Sequence, residues 1–445
     1  MKRLLASILI FAVAILGARA VAPVNDDSDS VPTTLAQCFF ETVAYNEELL
    51  ELRKDVERAA GTKLEIRSRD LPQLSAGLEA GGRNGSLYGN GGPYALFTAQ
   101  FSQRLLDTGI APSWKRGEGE VVVAQQRLNA AVSDRLHEAQ VDYLRAQQLE
   151  QLIAIYREVG QRLQNNITSE QQRTNAGSAG PRPLLEAKIQ LLASQADLTS
   201  FQREEFSVRV HLAGLMQRPA NQIPSPTELV KQGQTNIDWA EQERLALQRR
   251  SDLKFLRALI QITKEDRQTV EAGYFPEISL VGSGLFLPGK TRVYQATQIV
   301  EGQIPLSTEA REGVAATWQI IDNGQVTGAS REIAGVQHEY EIILAKLEQD
   351  IPRSLARIRH SLEDADAQLA ALGKSQQEAD ENLRLVESRI SVGDATQLDF
   401  SDAQRNLLAV RRGIANATFE HNAALGELDW VTGRYLEFTQ PAKAP

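Results

Sequence analysis

Asp322-Asn323-Gly324 at one end and Val392-Gly393-Asp394-Ala395-Thr396-Gln397-Leu398-Asp399 at the other bracket about seventy residues with a single proline, Pro352. Between them apolar side chains recur at alternating spacings of three and four: Val326, Ala329, Ile333, Val336, Tyr340, Ile343 and Leu347. The stripe continues through Ile351, Leu355, Ile358, Leu362, Ala365, Leu369 and Leu372 to Ala379, Leu383, Val386 and Ile390. So narrow a stripe is a coiled-coil seam, not the face of a globular core. At a rise of ~1.5 Å per residue it makes a rod of roughly 100 Å. Consecutive spacings of four from Ile343 to Leu355 form a stutter that relaxes the supercoil, and Pro352 sits in it. A domain of ordinary shape has no room for such a rod, so the rest of the chain must match its length.

Toward the N-terminus, Thr33 or Thr34 caps a helix from about Leu35 to Arg67, and Leu71-Pro72 ends it. The period then falls to two: Leu74, Ala76, Leu78 and Ala80 alternate with small or polar residues. Gly81 to Gly92, with six glycines and two asparagines, is turn material. A second alternating run places Ala95, Phe97, Ala99 and Phe101 on one face, which predicts a β-hairpin. After Asp107-Thr108-Gly109 helical spacing resumes from Leu128 to Ile167, breaks at Gly177 to Pro183, and resumes from Leu184 to Met216. The same order follows Pro219 to Pro226: a helix from about Ile237 to Val270, a strand from Phe275-Pro276, a long loop, a strand near Val314 to Ile321, the rod, and a helix from Gln397 to Val431.

The repetition holds in register. Adding 204 maps Ala36 on Ala240, Leu49 on Leu253 and Pro72 on Pro276; adding 215 maps Asp107 on Asp322; adding 216 maps Gly177 on Gly393 and Leu212 on Leu428. The expected organisation is a signal peptide over 1–20, a flexible leader over 21–34, one repeat over 35–218, a linker over 219–236, a second repeat over 237–436, and a tail over 437–445. Lys2-Arg3, the apolar run Leu4 to Leu16 and Ala18-Arg19-Ala20 carry the signal-peptide reading. Its loss takes the net charge from −9 to about −12, an acidic balance that argues against nucleic acid. Cys38, the single cysteine, cannot form an internal disulfide and reads as a small buried side chain. No later apolar run spans a bilayer as a helix, so a membrane crossing would have to use closed β structure.

In these features the chain resembles the TolC family of outer-membrane efflux and secretion channels. The residues that carry the resemblance are Leu71-Pro72-Gln73-Leu74-Ser75, Phe275-Pro276-Glu277-Ile278-Ser279, both Asp-x-Gly turns, Val392 to Asp399, Asp402-Ala403-Gln404 and Leu428 to Gly433. The resemblance covers nearly the whole chain after residue 20 and implies a mainly α fold with β. A trimer would pool four strands per protomer into one membrane β-barrel above a coiled-coil tunnel through the periplasm. It also implies a periplasmic adaptor and an inner-membrane transporter as partners, with the outer-membrane lipid around the barrel. The function implied is that of a passive exit channel for efflux or type I secretion. The alternative is a periplasmic coiled-coil scaffold or adaptor that never enters a membrane.

Little in the sequence serves a reaction. The five histidines are scattered without paired ligand spacing, so no catalytic, metal or cofactor site is expected and the chain is not read as an enzyme. The resemblance assigns Asp399 and Asp402 to an acidic ring at the tunnel mouth, while Asp399 is also well placed to cap a helix. It assigns the reversals, with Gly177 and Pro181 on one side and Val392, Gly393, Thr396 and Leu398 on the other, to adaptor docking. The family's tip lock, a Tyr and an Arg bonded to an Asp, matches Ile390, Ala395 and Pro183 here, so that lock is missing. Tyr94, Phe97, Phe101, Phe275 and Trp318 are expected on the membrane hairpins or their interfacial belt, together with Tyr88 and Tyr274.

Overall fold

The computed structural model describes residues 31–83, 92–177, 180–219, 221–226, 230–233, 237–287, 293–295, 298–300, 307–392 and 394–437. The signal peptide, most of the leader, Tyr88 and the hairpin loop around it, Gly393 and residues 438–445 lie outside these. The short strand β1 (Val31–Pro32) leads into α1 (Leu35–Tyr45), α2 (Glu47–Ser68), β2 (Gln73–Arg83) and β3 (Gly92–Leu106). Next come α3 (Ile110–Asn175), α4 (Pro181–Leu215) and β4 (Pro224–Ser225). The second half holds α5 (Trp239–Arg249), α6 (Ser251–Glu271), β5 (Glu277–Leu287), β6 (Val293–Gln295), β7 (Gln298–Val300), β8 (Ser307–Thr317), α7 (Gln325–Ser391) and α8 (Gln397–Val431).

The rod is real: α7 runs unbroken for 67 residues through Pro352, and α3 matches it with 66. The seam is buried in its middle and lower parts, where Ile351, Leu355, Ile358 and Leu362 pack with Ala246, Leu253, Ala424 and Leu428. Nearer the tip, Leu383 packs with Phe400, Ala403 and Leu407. Its upper part departs from the expectation, because Val336 and Ile343 remain exposed in the single chain. On α3 the expected positions Val132, Leu136, Ala139, Tyr143, Ala146, Ile153, Tyr156 and Leu163 are buried, while Leu128 and Ile167 at the two ends are only half-buried.

Three boundaries differ from the sequence reading. The first helix is broken at Asn46, whose extended backbone ends α1 and whose side chain accepts from Leu49 N–H to start α2. The helix expected over Ile237 to Val270 is broken at Arg250, 204 residues on, with nearly the same backbone angles. The last strand is Ser307–Thr317, so the apolar run Trp318 to Ile321 lies beyond it. Leader and linker are also less free than expected. Val31–Pro32 pairs in parallel with Pro224–Ser225, Thr33 N–H donates to Ser225 O at 2.9 Å, and Arg218 bonds both Thr33 and Glu41. Thr34 caps α1 through a reciprocal box with Gln37. Cys38 is fully buried and unbridged, and its burial pushes the thiol pKa up to about 12.

Four strands form one antiparallel sheet in the order β2-β3-β5-β8. At its base a buried Asp70 gathers Arg104 at 3.2 Å, Trp114 Nε1 at 2.9 Å and Ser113 at 3.5 Å. Arg104 also reaches Asp107 and Glu277, so one charge cluster welds α2, β3, α3 and β5 together. The two strand-to-helix turns are built alike at their aspartates. Asp107 Oδ1 accepts from Gly109 N–H at 2.7 Å, and Asp322 accepts from Gly324 and Val326 N–H. These bonds hold the Asp322 carboxyl below its usual range. Only the second turn needs its glycine for conformation, with Gly324 at φ +86°.

Candidate functional site

Two places stand out, at opposite ends of helices roughly 100 Å long: the sheet and the helical tips. Cross-strand register sorts the sheet into two faces. One carries the rows Leu74–Phe101–Gly282–Glu312, Ala76–Ala99–Gly284–Ala310 and Leu78–Phe97–Phe286–Thr308. The other carries Ser75–Gln100–Ser283–Arg311 and Gly77–Thr98–Leu285–Glu309. The first face is apolar apart from its β8 positions, with Phe97 and Phe286 in ring contact at 5.8 Å; the second is largely polar. Leu74, Leu78, Phe97 and Phe286 are all exposed, so no helix among the described residues covers the apolar face. β2 and β8 leave both edges of the sheet without a strand partner among the described residues. In water such edges and such a face invite association.

The aromatic residues fall into two groups. Tyr274, Phe275 and Trp318 sit where α6 meets β5 and β8 leads to α7, all exposed, with Trp318 Nε1 donating to Tyr274 O at 3.2 Å. Phe97 and Phe101 lie within β3 on the apolar face, and Tyr94 pairs with Gly81 nearer the hairpin loop.

At the other end, α3 closes on Gly177 at φ +70°, and α4 opens with Pro181 at its first position, the usual glycine-stop and proline-start chemistry. The second tip is fastened differently. Asp394 N–H donates to Arg389 O at 2.8 Å, and the Arg389 guanidinium reaches back to Asp394 Oδ2 at 3.0 Å. Nothing in the sequence singled out Arg389; a basic residue in the last turn followed by an acid just past the reversal was the available signal. Val392 and Leu398, 78 % and 59 % exposed, offer apolar side chains to solvent at this tip.

Asp399 caps α8. Its Oδ2 accepts from Thr396 N–H at 2.7 Å and from Thr396 Oγ1 at 2.6 Å, while its own N–H donates to Thr396 Oγ1. Bonding to Thr396 holds the Asp399 carboxyl below its usual range. Asp402, one turn on, pairs with Arg405. Both aspartates are exposed, on the side of α8 away from buried Phe400, Ala403 and Gln404. The capping role expected for Asp399 is therefore present. The expected acidic ring needs further copies and has no counterpart within one chain.

No described helix is long and apolar enough to cross a membrane. A pair of very long helical hairpins carrying an open-edged, two-faced sheet at one end defines the class of TolC-like channel proteins. The model of the outer membrane efflux protein family matches residues 41–216 and 244–434, and the chain belongs to that family. Its place is thus the outer membrane, with the long helices in the periplasm.

Among solved structures, a membrane protein from Pseudomonas aeruginosa superposes with a TM-score of 0.78 at 18 % identity, over 93 % of this chain and 98 % of that one. The outer membrane protein VceC from Vibrio cholerae gives 0.76 at 15 %, over 90 % and 96 %. The open state of the Neisseria gonorrhoeae MtrE outer membrane channel gives 0.70 at 20 %, over 90 % and 88 %. No curated protein sequence matches the chain.

Proposed function

We propose that this chain is the passive outer-membrane duct of a tripartite efflux pump and works as a homotrimer. One observation carries the reading: a four-stranded sheet, open at both edges and apolar on one face, stands at the end of 66- and 67-residue helices. A membrane tolerates no unpaired edge, so the strands must close through other copies, and three copies pool twelve strands. The apolar face meets lipid and the polar face lines water. Tyr274, Phe275 and Trp318 lie at the depth of the periplasmic headgroups. A scaffold confined to the periplasm would leave Phe97 and Phe286 bare to water, which disfavours that alternative.

The shared order of the two halves, down to the matched breaks at Asn46 and Arg250, supports descent from one duplicated unit. The tips dock a periplasmic adaptor that couples the duct to an inner-membrane transporter. Exposed Val392 and Leu398 are the apolar contacts, and Thr396 opens α8 on the far side of the reversal. The first tip, stiffened by Pro181, makes a contact of different strength.

Edge closure is tested by cross-linking in cells. In a Cys38→Ser background, Ser75→Cys on β2 is combined in turn with single cysteines along β8, from 307 to 317. The expected result is oxidation to covalent dimers and trimers in the outer membrane at one or two adjacent β8 positions. Monomers throughout the scan contradict the shared barrel.

A further inference from the structure

A cavity of about 160 Å³ lies toward the tips, between α3, α4 and α8. Val159 and Leu163 of α3, Ala193 of α4 and Leu408 of α8 supply an apolar wall, with Tyr156 at one side. Gln190, Ser194, Asp197, Ser401, Gln404 and Arg405 supply the polar part of the lining, and two of these stand out. Ser194 and Gln404 are only 7 % and 4 % exposed. Yet Ser194 Oγ and Gln404 Oε1 have no hydrogen-bond partner among the described residues.

Buried polar atoms are rarely left so. A helical hydroxyl has an easy remedy in the carbonyl one turn back, and Thr199 on the same helix takes it, bonding Gln195 O at 2.8 Å. Ser194 does not. Gln404 is held by its other amide atom, Nε2, which donates to Val159 O at 3.5 Å. The charged groups of the lining each have a partner: Arg405 pairs with Asp402, and Asp197 with the Tyr156 hydroxyl. The buried side-chain atoms of this lining left without a partner are thus one hydroxyl and one amide oxygen, both neutral, beside an apolar wall.

We infer that this cavity binds a small neutral single-ring molecule bearing one hydroxyl, of the phenol class. A volume of this order admits one six-membered ring. The ring lies against Val159, Leu163 and Leu408; the ligand hydroxyl donates to Gln404 Oε1 and accepts from the Ser194 hydroxyl. Because α4 and α8 both pack on α3, such a ligand ties the first helical hairpin to the second. One chain supplies the whole lining.

The test uses the purified full-length chain in detergent, with empty micelles as reference, and follows 4-fluorophenol and fluorobenzene by fluorine NMR. Saturable binding of 4-fluorophenol above the micelle background is expected, weaker by about fivefold or more for fluorobenzene, which lacks the hydroxyl. Ser194→Leu, which fills the space, should abolish it, and Gln404→Leu should weaken it about fivefold. Should Ser194→Leu fail to fold, Ser194→Ala removes only the hydroxyl and should weaken binding by several-fold. Binding no different from empty micelles, equal binding of the two probes, or binding unchanged by the Ser194 substitutions would overturn the assignment.

Discussion

Asp399 serves its own helix first. Its carboxylate accepts from the Thr396 N–H and hydroxyl, completing the capping box of α8, and these bonds favour the ionised form. Because its folded pKa is depressed, the stability it lends the tip is present above the unfolded aspartate value of about 3.9. That contribution is lost only as pH falls through the lowered folded value, so the tip should not respond to pH between 7 and 5. Asp402 is matched by Arg405. In the proposed trimer, with these aspartates at its mouth, the local balance would be one net negative charge per protomer, from Asp399. In single-channel recordings, Asp399→Asn should by itself remove most of the cation preference, since asparagine still caps. Adding Asp402→Asn should turn the preference anionic by leaving Arg405 unpaired. Unchanged selectivity in both variants would reduce the aspartates to helix caps. The sequence held the capping signal in the Thr-x-x-Asp spacing, but the Arg405 partner follows from which rotamers meet and was not legible.

At the scale of elements, the hairpins were legible because period two is a direct mark of a sheet with unlike faces. β8 was misplaced because Ser307 to Glu312 is almost wholly polar, while Trp318, Ile320 and Ile321 are apolar. Pairing to β5, not composition, decides where that strand lies. The breaks at Asn46 and Arg250 were hidden for a similar reason. Each has a tertiary partner, Leu215 O accepting from Asn46 Nδ2 at 3.3 Å and the face of Trp430 beneath Arg250, which also bonds its near neighbour Asp252. The face assignment predicts that Phe97→Lys hinders assembly strongly while Thr98→Lys is tolerated, read as the yield of outer-membrane oligomer. Equal yields would count against the apolar face as the lipid face. Helix packing makes a separate prediction at Gly119 on α3. A Cβ there would lie 2.5 Å from Ile262 Cγ1 of α6, with no room between the helices. Gly119→Ala should destabilise the chain by about 1–3 kcal/mol, measured by denaturant unfolding of the solubilised protein. No loss would mean that α3 and α6 pack more loosely than described.

For the whole molecule, the length of Gln325–Ser391 set everything else: it demanded a second helix of equal length and shorter helices stacked beside both. The sequence carried that much in the spacing of Val326 to Ile390. What one chain cannot carry is its own closure. The seam is exposed at Val336 and Ile343, the sheet is open at β2 and β8, and Ile189 and Leu192 of α4 face solvent. Each is an unfinished surface that further copies would complete. The most direct test is electrical. The purified full-length chain is added to one side of a planar lipid bilayer, and current is recorded under an applied potential. Discrete, equal conductance steps, each from one closed assembly, are the result this account predicts. A bilayer that stays sealed, at concentrations where the same preparation incorporates into liposomes, would contradict it.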